Sequence, residues 1–423
     1  MPKSTPDQEL PFDGDAFGVQ PHERPVPRIS IHGFCEFPDT GAALQRAASD
    51  RRLSKAHVSV QLGGIEAALE YYTSQPTPNL LIIETRLQGK EAVGEIERLA
   101  QVCDAATKVL VIGRVNDVEL YRDLMRRGVS EYLVAPLDPL RLIEVISGLY
   151  LNPDAAPVGR IVSVVGCRGG VGSSTIAHNL GWCIAEQFKI NTTIVDLDLP
   201  FGTSSLDFNE EPGQGVADAL TAPERLDDVL LDRLLSKVGD HLSLFTSPAI
   251  LDRNYESDPA TYEAVLDVVR RVSPCVIVDL PHMWTPWIRQ TILASDEIVV
   301  VASPDLACLR NGKAIIDLIK QNRPNDAPPR LVLNLVGQPK RPEIPVKNFA
   351  ETLGIEPSVS LPYDPALYGS AANTGKMLMQ VKPASPTADA IKQLSELITG
   401  RRPQEAPKSV LPFLSLLKAR KQA

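Results

Sequence analysis

Ile161-Val162-Ser163-Val164-Val165-Gly166-Cys167-Arg168-Gly169-Gly170-Val171-Gly172-Ser173-Ser174-Thr175 decides the fold. Ile161–Val165 is nearly all apolar, as a strand buried on both faces is. A glycine-rich turn follows, and Ile176–Phe188 reads as an apolar helix. Strand, glycine turn and helix in that order build the cradle a phosphate needs. Glycines let backbone N–H groups point inward, and the helix N-terminus adds positive potential. Ser174 sits where a hydroxyl would reach a Mg2+ ion. The alternative is a tight turn between strand and helix that binds nothing.

Further strands end in acids. Ile194-Val195-Asp196-Leu197-Asp198 closes one apolar run with two carboxylates spaced by one residue, and Cys275-Val276-Ile277-Val278-Asp279 closes another. A carboxylate at the C-terminal end of a parallel strand, beside a phosphate loop, is where a hard cation needs it. The plainer reading of Asp196 and Asp198 is a pair of loop aspartates capping the next segment. Leu331-Val332-Leu333-Asn334 ends in an amide, which at a strand end is often a turn former.

These segments belong to a series of strand-like runs: Ile161–Val165, Thr193–Asp196, Leu242–Phe245, Cys275–Leu280, Glu297–Ala302 and Leu331–Val336. An earlier series covers Arg28–Gly33, His57–Gln61, Asn79–Glu84, Lys108–Gly113 and Glu131–Val134, with helix-like stretches such as Lys90–Cys103 and Asp117–Arg127 between. Alternating strands and helices imply parallel sheets covered on both faces. The fold class expected is therefore α/β, with two doubly wound parallel-sheet domains at 29–150 and 159–400. Residues 1–28, polar, acidic and proline-rich, read as a disordered arm without a signal peptide. Leu151–Val158, with two prolines, reads as a linker. Residues 401–423 carry six basic side chains against the single acid Glu405, around Val410, Leu411, Phe413, Leu414, Leu416 and Leu417. That tail reads either as a docking segment or as an interfacial membrane contact, with Pro412 interrupting or starting any helix.

Composition narrows the function. The chain has 423 residues, enough for two or three domains, and 43% are hydrophobic, enough for two sizeable cores. Aromatics at 5% argue against stacking platforms for single-stranded nucleic acid, and a net charge of -9 argues against polyanion binding by bulk electrostatics. Six cysteines lie scattered without metal-type spacing, as in a reduced, cytoplasmic protein. The six histidines show no sequence clustering, and no zinc pattern, nucleophile elbow or catalytic triad stands out.

The loop at 166–175 resembles the deviant Walker A of the ParA/MinD family, whose pattern is K-G-G-x-x-K-[ST]. It departs twice. Arg168 stands for the signature lysine that reaches the partner's phosphates across a dimer, and Ser173 stands for the P-loop lysine. Arginine keeps a permanent charge and a bidentate grip. Serine loses the cation that neutralises the β- and γ-phosphates. The resemblance implies that Arg168, Gly169, Gly170, Val171, Gly172, Ser173, Ser174 and Thr175 hold ATP. It implies that Ser174, Asp196, Asp198 and Asp279 serve Mg2+, with Asp198 also positioning the attacking water. Asn334 matches the adenine-contacting asparagine, and Pro362 and Asp364 of Leu361-Pro362-Tyr363-Asp364 match the base-flanking segment. Pro281-His282-Met283 replaces the glycine that often follows the Walker B acid. Binding with weak hydrolysis is the expectation.

The earlier series resembles a response-regulator receiver, through Glu131-Tyr132-Leu133-Val134-Ala135-Pro136-Leu137. Its chemistry is missing: Glu84 replaces the phospho-accepting aspartate, Gly113 the switch hydroxyl and Ala135 the lysine. Together the halves resemble the CpaE/TadZ family of the Tad (Flp) pilus assembly system, also through Asp-Leu-Asp-Leu-Pro-Phe-Gly at 196–202. That resemblance implies a cytoplasmic localisation factor at the inner membrane face or a cell pole. It implies a homodimer closed around ATP, in contact with the pilus secretion ATPase and inner-membrane platform proteins; the acidic charge and the missing lysines argue against nucleic acid. An ATPase that cycles and a DNA-partitioning ParA remain the alternatives.

Overall fold

The structure, a computed structural model of the chain, describes residues 26–150, 158–211, 215–251 and 257–401. The expectations for residues 1–25, 151–157 and 402–423 lie outside the described residues. Packing divides the described chain into two units, one of 26–158 with 315–328, the other of 159–314 with 329–401.

The first unit holds β1 (Ser30–Cys35), β2 (His57–Leu62), β3 (Leu80–Glu84), β4 (Lys108–Gly113) and β5 (Glu131–Val134). They form one sheet in the order β2-β1-β3-β4-β5, with every pair parallel. Successive residues of β3 feed opposite cores. Leu81 and Ile83 pack with Ile65, Ile96 and Leu124 on one face, while Leu80 and Ile82 pack with Leu44, Leu142 and Ile146 on the other. The side-chain period of two is what lets a continuous apolar strand serve two helix layers. The sheet order reverses between β1 and β3, the usual place for chemistry in such a fold.

The second unit holds β6 (Arg160–Gly166), β7 (Thr192–Asp196), β8 (Ser236–Lys237), β9 (Leu242–Phe245), β10 (Cys275–Asp279), β11 (Glu297–Ala302), β12 (Arg330–Val336) and β13 (Pro357–Pro362). Their order is β13-β12-β11-β6-β10-β7-β9-β8. All pairs are parallel except β8 with β9. The fold class expected from sequence is the one observed, a pair of parallel-sheet α/β units.

Central β6 is flanked by β10 and β11 and runs straight into the glycine loop. The helix that follows, Ser173–Phe188, starts earlier than its apolar run, at the polar residues Ser173-Ser174-Thr175. Gly181 lets it lie close on the sheet: a Cβ there would stand 2.6 Å from Ile194 Cγ1. The base of β6 is fixed by a buried ion pair. Arg270 Nη2 lies 3.0 Å from Asp296 Oδ2, and the two side chains are 6% and 3% exposed. Arg270 Nε also donates to the Gly159 carbonyl, and Asp296 Oδ2 accepts from the Ile161 N–H.

Candidate functional site

The phosphate loop is built from glycine geometry. Gly170 (φ 74°) and Gly172 (φ 87°) adopt the left-handed conformation, which glycine enters without steric cost. Among the described residues, the backbone N–H groups of Arg168 through Thr175 make no hydrogen bond. They form a row of free donors at the mouth of a helix N-terminus, a fit for phosphate oxygens. The loop itself is braced from behind. Cys167 N–H donates to the Val301 carbonyl, Asn311 Nδ2 donates to the Cys167 carbonyl at 2.8 Å, and Asn334 Nδ2 donates to the Val171 carbonyl at 2.9 Å.

Three acids gather beside it. Asp196 and Asp279 are register partners at the ends of adjacent β7 and β10. Asp196 is buried, and its carboxylate accepts from the Asp198 and Ser204 N–H groups. Burial, then repulsion by Asp279, pushes its pKa up. Asp198 is held by the Phe201 N–H, and burial also raises its pKa. The plainer reading of this pair as loop caps is thus literally present. Asp279 differs: its Oδ1 is buried with no hydrogen-bond partner among the described residues. An orphaned carboxylate oxygen beside free phosphate-loop donors fits a Mg2+ ion or its water. No three His, Cys, Asp or Glu side chains among the described residues form a protein-only metal cage.

His178 was invisible as a site residue in the sequence. It is fully buried on the loop helix, with Nδ1 2.7 Å from Asp207 Oδ2 and Nε2 3.5 Å from Asp279 Oδ2. Burial alone would lower its pKa, but the two carboxylates outweigh burial and push it up to about 10. The one available signal was the polar pair His178-Asn179 inside the otherwise apolar stretch 176–185 of the loop helix.

The other candidates are placed as follows. Asn334 is buried against the loop, and its Oδ1 accepts from its neighbour Leu335 N–H and from the Tyr368 hydroxyl at 3.3 Å. Pro362 ends β13, the strand beside β12 that carries Asn334. Asp364 caps the helix Pro365–Thr374 through the Leu367 N–H. Arg168 turns back onto its own chain, toward Ser303 and Asp305. The three tryptophans divide: Trp287 is buried and stacked on Tyr262 with centroids 4.1 Å apart, Trp284 is exposed, and Trp182 is half-buried.

In the first unit, Glu84 is fully buried. Its Oε2 accepts from the Glu36 and Phe37 N–H groups at 2.9 and 3.0 Å, and its Oε1 from the Thr40 hydroxyl at 2.8 Å. The carboxylate therefore holds the chain that enters the helix Pro38–Ala48. The Tyr132 hydroxyl, bonded to the Val115 carbonyl, fills the space where a side chain at Gly113 would stand.

Residues 160–315 match the family described as cellulose biosynthesis protein BcsQ. The chain is 50% identical to the pilus assembly protein CpaE of Caulobacter crescentus, over 30% of this chain and 98% of that one, at a TM-score of 0.30. Sequence identity, not superposition, carries that likeness. The chain is a CpaE-like member of the ParA/MinD superfamily. It is also 23% identical over 271 residues to the septum site-determining protein MinD of Synechocystis, covering 62% of this chain and 94% of MinD. A ParA family ATPase of Chlorobium tepidum is 24% identical, with 56% of this chain and 98% of that chain covered, at a TM-score of 0.51. That likeness speaks for the fold alone. Among the described residues, no helix is long and apolar enough to cross a membrane.

Proposed function

We propose that this chain is a nucleotide-binding localisation and assembly factor for a Tad/Flp-type pilus, working as an ATP-dependent dimer with little or no hydrolysis. The observation that carries it is the loop, with its N–H groups free, in a chain half identical over the matched length to a pilus assembly protein. Arg168 to Thr175 cradle the phosphates of ATP. Ser174, Asp196, Asp198 and Asp279 would hold Mg2+ directly or through water, which would supply charge neutralisation at the phosphates. Asn334, Pro362 and Asp364 flank the base. Arg168 reaches the phosphates of a second copy.

Weak hydrolysis follows from Ser173, which leaves no lysine at the transferring phosphate, and from the turn-capping posture of Asp198, which accepts from the Phe201 N–H. Dimer closure is supported by apolar groups exposed beyond the strand ends: Phe201 (68%), Met283 (50%) and Trp284 (52%) on loops, and Leu306 (74%) at the start of a helix. Such side chains, gathered around a charged loop, suit a protein surface. The partners proposed are the pilus secretion ATPase and inner-membrane platform proteins. The site of action is the cytoplasm, at the inner membrane face or a cell pole, with peripheral membrane contact through residues 401–423. The DNA-partitioning alternative lacks support in an acidic chain.

Piliation tests this reading. In a strain lacking the chain, the wild type should restore surface pili and Gly172→Val should not, at equal protein level. A side chain at Gly172 meets a φ of 87° and an Asn334 Nδ2 only 2.6 Å from its Cβ, a conformation β-branched residues avoid. Full piliation of the deletion strain would contradict the pilus role, and full piliation with Gly172→Val would contradict the nucleotide requirement.

A further inference from the structure

The cation that replaces the family lysine is tied down within its own chain. Arg168 Nε lies 3.3 Å from Asp305 Oδ2, and Nη2 lies 3.4 Å from Ser303 Oγ. The first contact is an ion pair and not a hydrogen bond, since Nε finds no acceptor in line. Asp305 follows β11, the neighbour of β6, so the sheet delivers it to the side of the loop. It is a better-satisfied group than the arginine it holds. Arg341 Nη2 donates to the same Oδ2 at 2.8 Å, Ser303 Oγ donates to it at 2.7 Å, and the Cys308 N–H donates to Oδ1 at 3.0 Å. Burial opposes its ionisation, but these hydrogen bonds and the two guanidiniums hold its carboxyl below the usual range.

We infer that Asp305 is a positioning residue that withholds Arg168 from a second copy until a phosphate replaces its carboxylate. This rests on the proposed reach of Arg168 across a dimer. The asymmetry of the network makes the exchange easy. When Arg168 leaves, the carboxylate keeps Arg341, Ser303 and the Cys308 N–H, so no buried charge is stranded. The loop backbone need not move, because Asn311 holds the Cys167 carbonyl from the same helix that Asp305 precedes. The side chain of Arg168, 34% exposed, swings alone.

The test uses the full chain without nucleotide and then with Mg·ATP. Phenylglyoxal modifies free arginine, and mass spectrometry follows the peptide that carries Arg168. Asp305→Asn, which keeps the shape and the Cys308 acceptor, should speed modification of Arg168 about two- to fivefold, the range of a part-exposed ion pair. Ser303→Ala should speed it less, and Asp305→Glu should stay near the wild-type rate. An unchanged rate in Asp305→Asn overturns the inference. In Mg·ATP, sedimentation should show a tighter dimer for Asp305→Asn than for wild type, and no such gain when Arg168→Ala is also present. If Arg168→Ala dimerises as well as wild type, the inference falls together with the trans role of Arg168. If Arg168→Ala weakens the dimer but Asp305→Asn leaves it unchanged, or tightens it equally without Arg168, only the withholding role falls.

Discussion

Ser173→Lys should raise ATP turnover on the order of 10²-fold and tighten Mg·ATP binding, measured by steady-state phosphate release and by calorimetry. Phosphoryl transfer leaves little covalent work to the protein, and the rate follows how well the moving charge is met. Position 173 opens the loop helix, amid the free N–H groups of Arg168 to Thr175. A lysine there adds the one full charge that backbone dipoles do not supply. The wild type should release phosphate barely above the nucleotide's background. Tighter binding without faster turnover would place the defect at Asp198 and Pro281-His282-Met283 instead. A wild type that turns over as fast as Ser173→Lys would contradict the account of this loop.

Asp296→Asn should destabilise the second unit by about 3–5 kcal/mol, the cost of leaving a buried charge without its partner. The loss falls on Arg270, which is 6% exposed beside Asp296. It also loosens the entry of β6, because Asp296 and Arg270 hold Ile161 and Gly159. Denaturant unfolding reads the change as a lower midpoint. Nucleotide binding should weaken with it, since β6 sets the position of the loop. A midpoint within about 0.5 kcal/mol of wild type, the range of an ordinary surface substitution, would show that solvent reaches Arg270.

The sequence made the strands of both sheets and the loop legible because their signals are local. An apolar run such as Cys275–Val278, closed by an acid, announces a buried strand and the group at its tip. Two strands were missed for physical reasons. Ser236–Lys237 is too short to show a period. Pro357–Pro362 begins and ends in proline, which reads as loop, yet proline is tolerated at a sheet edge. Its pairing with β12 is interrupted by register shifts.

The site was legible at the strand tips and obscure elsewhere. Asp196 and Asp279 could be named because each ends its strand, and Arg168 because it follows closely on β6. The pair His178–Asp207 spans 29 positions, and Arg168 with Ser303 spans 135. Those meetings exist only once the sheet order brings β11 beside β6 and lays the loop helix over β10. Asn334 and Asp364 show the reverse: the family pattern pointed to the base, and the structure gives each a bracing or capping hydrogen bond as well.

The most direct measurement is sedimentation velocity of the full chain, with and without Mg·ATP. The account predicts a monomer alone and a dimer in Mg·ATP, with the dimer weakened in Arg168→Ala. The same sedimenting species under both conditions would contradict it.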